Sequence, residues 1–166
     1  MEAEQAGAGA RHFVHFARPS LQTVYYLSIL PSGGVPGETP VTREEALHLA
    51  EHWVAAWNAH DLDAILAHYD ESVELTSPVV AQLLGRPDGK VVGKASLRAY
   101  FQRGLEAFPN LHFRLEDVLC GVSSVLLYYT NQRGTRTGEF MELSAEGKVL
   151  RVVANYNVAP AGKGRQ

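Results

Sequence analysis

The apolar periodicity of the sequence changes near residue 109, and this change limits the folds that the chain can adopt. Before it, apolar residues recur three and four positions apart, as on one face of an α-helix. After it, they alternate in four runs separated by glycines, as in antiparallel strands. Helices grouped early and strands grouped late predict an α+β fold, in which a curved, mostly antiparallel sheet wraps around N-terminal helices. We expect this cone to enclose one internal pocket.

Three helices and five strands are predicted within this cone. Thr42 and Glu45 have the spacing of a capping box, which starts a helix over 43–58. A second, short helix follows it, and a third lies between Gly93 and Pro109. The strands are predicted over 73–78, 111–119, 124–131, 138–144 and 149–158, with turn residues at 85–89.

Composition divides the chain into three parts. Residues 1–40 open with a Glu/Ala/Gly/Gln tract and end in a Pro/Gly segment, so we expect a flexible N-terminal extension. Within it, the run Tyr25–Leu30 is compatible with an added edge strand, with docking on a partner, or with no function. The folded domain is predicted over 41–159, followed by a disordered tail over 160–166.

Charge and cysteine content exclude several functional classes. The 15 Lys and Arg and 18 Asp and Glu give a net charge of -3 and are scattered along the chain, so no basic face for nucleic acid is predicted. No apolar run approaches the length of a membrane span. Cys120 is the single cysteine, which rules out an internal disulfide and suits a reducing compartment. We expect a cytoplasmic protein with no metal and no cofactor.

Strand alternation selects two acidic residues as candidates for an acid-base group inside the pocket. Glu139 shares its parity with Met141 and Leu143, and Asp117 shares its parity with Leu119. A carboxyl group surrounded by apolar side chains acquires a raised pKa and can transfer protons near neutral pH. For each residue, a solvated or purely structural role is the alternative.

Aromatic and hydroxyl side chains on inward-facing positions define a predicted ligand pocket. Large aromatic rings would bind a flat apolar ligand, and their polar atoms would orient it. Plain core packing is the alternative for these aromatic residues, and for Ser77 it is a hydroxyl that stabilises its own turn. The predicted pocket residues are Trp53, Trp57, Tyr69, Ser77, Tyr100, Phe101 and Tyr156, with Tyr69 also a candidate catalytic donor.

Several short motifs occur in an order that resembles the nuclear transport factor 2-like superfamily, and in particular its SnoaL-like branch. The resemblance covers residues 42–158 and implies the cone fold predicted above. It also implies a range of activities, among them ketosteroid isomerases, polyketide cyclases, epoxide hydrolases, dehydratases and transport adaptors, so the fold does not select a reaction. The motifs are Trp57–Asp63, Tyr69, Thr76–Pro78, Gly93 with Tyr100 and Phe101, and Leu111–Phe113.

Two functional hypotheses remain open at the level of sequence. The first is a cofactor-independent isomerase, cyclase or dehydratase that acts on a small apolar carbonyl compound, with Glu139 or Asp117 as base and Tyr69 and Ser77 as donors. The second is a non-catalytic module for ligand binding or dimerisation. Apolar residues on both parities of 124–129 predict a homodimer that forms through the sheet.

Overall fold

A computed structural model describes residues 40–157 of the chain. The predicted extension before Pro40, with its Tyr25–Leu30 run, and the predicted tail over 160–166 lie outside the described residues. The elements are α1 (Arg43–Asn58), α2 (Leu62–Leu66), β1 (Tyr69–Thr76), α3 (Pro78–Leu84), β2 (Lys90–Val92), α4 (Lys94–Ala107), β3 (Phe113–Cys120), β4 (Ser124–Asn131), β5 (Arg136–Leu143) and β6 (Val149–Tyr156).

The six strands form one sheet in the order β2-β1-β6-β5-β4-β3. All neighbours are antiparallel except β1 and β6, which are parallel. The predicted α+β class and mostly antiparallel sheet are therefore confirmed. The sequence did not predict α3 or β2, which are the short elements on either side of the predicted turn at 85–89.

The helices cover one face of this sheet, with α1 packed on β3 and α4 packed on β1. The predicted capping box is present at the start of α1, where Thr42 Oγ1 accepts a hydrogen bond from the amide of Glu45 and the Glu45 carboxylate accepts one from the amide of Thr42. The alternate residues of the strands that face the helices form the core with the apolar stripe of α1. Its largest fully buried members include Trp53, Tyr69, Ile65, Leu97, Leu127 and Met141.

The corner between α1 and α2 fixes the approach of β3 to the helices. The Asn58 side chain donates to the carbonyl of Phe113 at 2.9 Å and accepts from its amide at 2.7 Å. His60 adopts a φ of 54°, and its Nε2 donates to the carbonyl of Leu111 at 3.0 Å. These bonds satisfy backbone groups that would otherwise lack partners. His60 therefore has the structural role that its position in the corner suggests.

A β-bulge interrupts the alternation of β3. The pairing with β4 shifts between Leu115 and Asp117, so that Glu116 is the extra residue. A one-residue shift moves every later side chain to the opposite face of the sheet. Val118 is accordingly buried, whereas Leu119 is 56% exposed.

No helix in the described part of the chain is long and apolar enough to span a membrane.

Candidate functional site

A cavity of about 360 Å³ lies between the helices and the inner face of the sheet. Its wall is mostly apolar, with a few polar groups at defined positions. Six of the seven predicted pocket residues lie on it: Trp53, Trp57, Ser77, Tyr100, Phe101 and Tyr156. Its further apolar and aromatic residues include Leu75, Val79, Leu83, Phe108, Leu111, Phe113, Tyr129 and Ala154.

Glu139 carries its carboxyl group on the cavity wall and is 5% exposed. The pairing of β5 with β4 continues without a shift from Arg136 to Glu142, so Gly138 introduces no bulge and Glu139 keeps its inward parity. Tyr129 Oη donates a hydrogen bond of 2.7 Å to Glu139 Oε2. Within residues 40–157, Oε1 receives no hydrogen bond, which leaves it for a group inside the cavity.

Burial raises the pKa of Glu139 to about 7, because the charged carboxylate is poorly solvated in an apolar cavity. The hydrogen bond from Tyr129 acts in the opposite direction, since it stabilises the charged form. Burial, followed by the nearby Glu139 carboxyl, raises the pKa of Tyr129 well above its usual value, so its phenol remains protonated and donates. A carboxyl group with a pKa near 7 can both accept and release a proton at neutral pH.

Ser77, Tyr100 and Tyr156 are among the hydroxyl-bearing side chains that share the cavity with Glu139. Ser77 caps α3, where its Oγ accepts from the amide of Val79 at 3.1 Å and lies 3.3 Å from Tyr156 Oη. Burial raises the pKa of Tyr156 to about 12 and raises that of Tyr100 further. These phenols therefore remain protonated at neutral pH and can donate to an oxygen atom of a ligand.

Aromatic rings stack along one side of the cavity. The Trp53 and Phe113 rings are stacked with centroids 5.6 Å apart, and Trp57 meets Phe101 edge to face at 4.8 Å. The Phe113 ring lies 4.6 Å from that of Tyr129. This stack links α1 and α4 to the strands that carry Tyr129 and Glu139, and it gives the cavity a flat apolar side.

Tyr69 does not lie on the cavity wall, so its assignment as a pocket residue and donor is a correction. Its side chain is buried behind the wall, and its Oη accepts a hydrogen bond of 2.8 Å from Trp53 Nε1. The physical reason is that a buried indole N–H needs an acceptor, and the Tyr69 hydroxyl supplies it.

Asp117 is exposed and lies outside the cavity, so its assignment as a candidate base is a second correction. The bulge at Glu116 reverses the parity that the prediction assumed. The carboxylate accepts a hydrogen bond of 2.8 Å from the amide of Val118 instead. Of the two acids predicted from alternation, the structure brings only Glu139 into the cavity.

Several polar residues of the wall were missed by the sequence analysis, among them Tyr129 and Thr137. Tyr129 donates a hydrogen bond to Glu139. It lies in β4, which carries apolar residues on both faces, so alternation alone does not show that its side chain points inward. Thr137 faces the cavity two residues before Glu139, and its parity would have indicated it. The Thr137 hydroxyl and Trp57 Nε1 are buried and make no hydrogen bond to any residue of the described range.

The open end of the cavity is polar. Exposed wall residues lie in α3 and in the hairpin between β4 and β5, namely Gln82, Gln132 and Arg133. The guanidinium carbon of Arg133 lies 5.2 Å from the ring centroid of Phe108. Within the part of the chain that the structure describes, no group of three or more His, Cys, Asp or Glu side chains is placed to hold a metal ion.

Replacement of Glu139 by Gln is expected to remove a pH dependence of stability. The folded-state pKa of about 7 exceeds the ordinary value of 4.5, so the folded protein binds more protons between these two values. The free energy of unfolding should therefore fall by about 3 kcal/mol as the pH rises from about 4.5 to about 7.5. Urea unfolding of wild type and Glu139→Gln across this range measures the difference. Equal slopes with pH would contradict the raised pKa, and Asp117→Asn, an exposed acid, is the matched control.

Comparison with solved structures shows which proteins share this fold. A SnoaL-like protein of unknown function from Burkholderia thailandensis E264 is 37% identical, covers 72% of this chain and 99% of its own, and has a TM-score of 0.69. A nuclear transport factor 2-like protein of unknown function from Cytophaga hutchinsonii ATCC 33406 is 13% identical over 72% of this chain and 93% of its own, with a TM-score of 0.52.

A third structure has a name that refers to chemistry. It is SalBIII, an epoxide hydrolase/cyclase-like enzyme with a role in pyran ring formation in the polyether salinomycin. SalBIII is 17% identical over 69% of this chain and 92% of its own, with a TM-score of 0.53. At this identity the likeness concerns the fold alone. A search of curated proteins finds no match. The family model of the SnoaL-like domain matches residues 50–163, so the resemblance predicted from the motifs is confirmed and the chain belongs to the SnoaL-like family.

Proposed function

We propose that this protein is a cofactor-independent acid-base enzyme, an isomerase, cyclase or dehydratase, that moves a proton at the carbon next to a carbonyl group. The observation that carries the proposal is the Glu139 carboxyl group, which is buried on an apolar cavity wall with a pKa of about 7. The substrate would be a small apolar carbonyl compound, because the cavity of about 360 Å³ is lined mainly by aromatic and aliphatic side chains.

The hydrogen bond from Tyr129 gives Glu139 a defined orientation for this role. With Oε2 held at 2.7 Å by the phenol, Oε1 is the atom that would take the proton from carbon. The developing negative charge on the carbonyl oxygen would need a donor. The hydroxyls of Tyr100, Tyr156 and Ser77 are the donors proposed, since all three side chains line the same cavity. Proton return from Glu139 to the substrate would complete an isomerisation and regenerate the carboxylate.

SalBIII is an epoxide hydrolase/cyclase-like enzyme, so ring closure is among the candidate reactions for a protein of this fold. Fold likeness does not choose between ring closure, isomerisation and loss of water, since each can begin with the same proton transfer. The shared step, removal of a proton next to a carbonyl, is therefore the step to test.

The test is hydrogen–deuterium exchange at the carbon next to the carbonyl of 1-tetralone, a flat bicyclic ketone, followed by proton NMR in heavy water. Wild type should exchange these protons faster than buffer, with a rate that rises through an apparent pKa near 7. Glu139→Gln should lower the rate by about 100-fold or more, because it removes the base. Asp117→Asn is the matched control and should leave the rate unchanged. An unchanged rate in Glu139→Gln would refute the assigned base.

The second hypothesis, a non-catalytic module, is supported by the outer face of the sheet. Leu119, Leu126, Phe140 and Val153 are paired in register on four adjacent strands and form one apolar row on the side away from the helices. Leu119 is 56% exposed, and the other three are half-buried. We propose that a second copy of the chain covers this row, because such a face on a monomer would remain in water.

Light scattering at micromolar concentration tests the homodimer. We expect twice the chain mass of 18.2 kDa for wild type and a shift towards one chain mass for Phe140→Glu, which places a charge in the centre of the row. Arg103→Glu on the exposed side of α4 is the control for a change of charge alone. A wild-type mass of one chain would refute the dimer. Ligand binding without any proton exchange in the preceding experiment would favour the binding module over the enzyme.

A further inference from the structure

Among the described residues of the cavity wall, Glu139 and Arg133 are charged, and they lie in different surroundings. Glu139 is 5% exposed, whereas Arg133 is exposed in the hairpin between β4 and β5. Among the wall residues of the described range, all others are apolar, aromatic, amide or hydroxyl side chains. Any ligand that fills the cavity therefore meets a carboxyl group in the interior and a guanidinium group at the opening.

Arg133 is held at the opening by local contacts. Its guanidinium carbon lies 5.2 Å from the ring centroid of Phe108, which is itself part of the cavity wall. Its amide donates to Asn131 Oδ1 at 2.9 Å, which fixes the turn that carries it. Within residues 40–157 Arg133 makes no ion pair. Arg114 of β3, by contrast, pairs with Glu116. The hydrogen-bonding capacity of Arg133 is thus available to a ligand.

β5 and the turn before it separate the two groups. Glu139 and Thr137 of β5 line the cavity together with Thr135 just before the strand, and Arg133 lies two residues before Thr135 in the turn of the hairpin. At about 3.4 Å per residue in an antiparallel strand, Glu139 and Thr135 are about 14 Å apart along the backbone. This length suits a body of two fused rings with a polar group at one end.

We propose that the ligand is an organic acid whose flat apolar ring body carries the carbonyl group of the proposed function and extends inward to Glu139, while its carboxylate is bound by Arg133 at the cavity opening. The planar guanidinium is suited to this role because it can donate two parallel hydrogen bonds to one carboxylate. The inference rests on the proposed function in taking the cavity as the substrate site. It adds the substrate class and a specificity-determining residue.

Two probes of the same shape test the proposal. 2-Naphthoate and 2-naphthamide share a bicyclic ring and a planar head group and differ in charge. Their affinities are measured by calorimetry with the full chain at pH 6 and low ionic strength, where the Glu139 carboxyl is mostly neutral. Wild type should bind naphthoate about fivefold more tightly or better, and added salt should reduce this preference because the site is open to solvent.

Three variants locate the source of the preference. In Arg133→Gln the ratio of the two affinities should fall to about one. In Arg133→Lys the ratio should lie between one and the wild-type value, since Lys keeps the positive charge but lacks the planar guanidinium. Arg136→Gln is the matched control, because Arg136 is an exposed arginine of the same hairpin that does not line the cavity. It should keep the wild-type ratio.

A wild-type ratio of about one would overturn the proposal, and so would a preference that persists in Arg133→Gln. Glu139→Gln should keep the preference for naphthoate over naphthamide. Loss of this preference in Glu139→Gln would indicate that the naphthoate carboxylate binds in the interior, and it would also overturn the proposal. The measurement involves no turnover. The binding result can therefore support a role for Arg133 even if Glu139 transfers no proton. It can also rule out that role while wild type still catalyses proton exchange.

Discussion

The alternation of side chains along β4, along β5 as far as Glu142 and along β6 from Arg151 is the constraint on which the rest of this structure depends. It gives the sheet one inner face that has to be covered by apolar groups, and three of the four helices, α1, α3 and α4, contribute residues to the space above it. They do not fill that space, and the remainder is the cavity. The Trp53 and Trp57 rings of α1 pack against Phe113 and Tyr129, and Phe101 of α4 packs on Trp57, so the unfilled volume is bounded by flat surfaces that disfavour water and charge.

A carboxyl group on such a wall is costly to ionise, and this cost has consequences for both stability and chemistry. Glu139 is placed there by the same alternation that buries Met141, and its hydrogen bond from Tyr129 offsets only part of the desolvation. A side chain chosen for stability alone would be apolar at this position. The Glu139 carboxyl group therefore lowers the stability of the fold at neutral pH, and groups with such strongly shifted pKa values cluster at functional sites.

Most of the fold and part of the site follow from the sequence, because the spacing of apolar residues and the residues that cap helices are local signals. Alternation identified Glu139 as inward-facing, and it failed at Asp117, where one extra residue in β3 reverses the parity and nothing in the sequence marks the bulge. Tyr69 was misassigned because its partner, Trp53, is 16 residues away and becomes a neighbour only after folding. The role of Tyr129 likewise depends on a cross-strand partner, which a single strand's pattern does not contain.

One buried carboxyl group on the cavity wall is expected to titrate near neutral pH, and carboxyl-resolved carbon NMR of the ligand-free protein measures its pKa. We expect one carboxyl resonance with a pKa of about 7 that is absent from Glu139→Gln and persists in Asp117→Asn. In Tyr129→Phe its pKa should rise further, because the donor that favours the charged form is lost. A Glu139 resonance that titrates near 4, as in model peptides, would contradict this expectation.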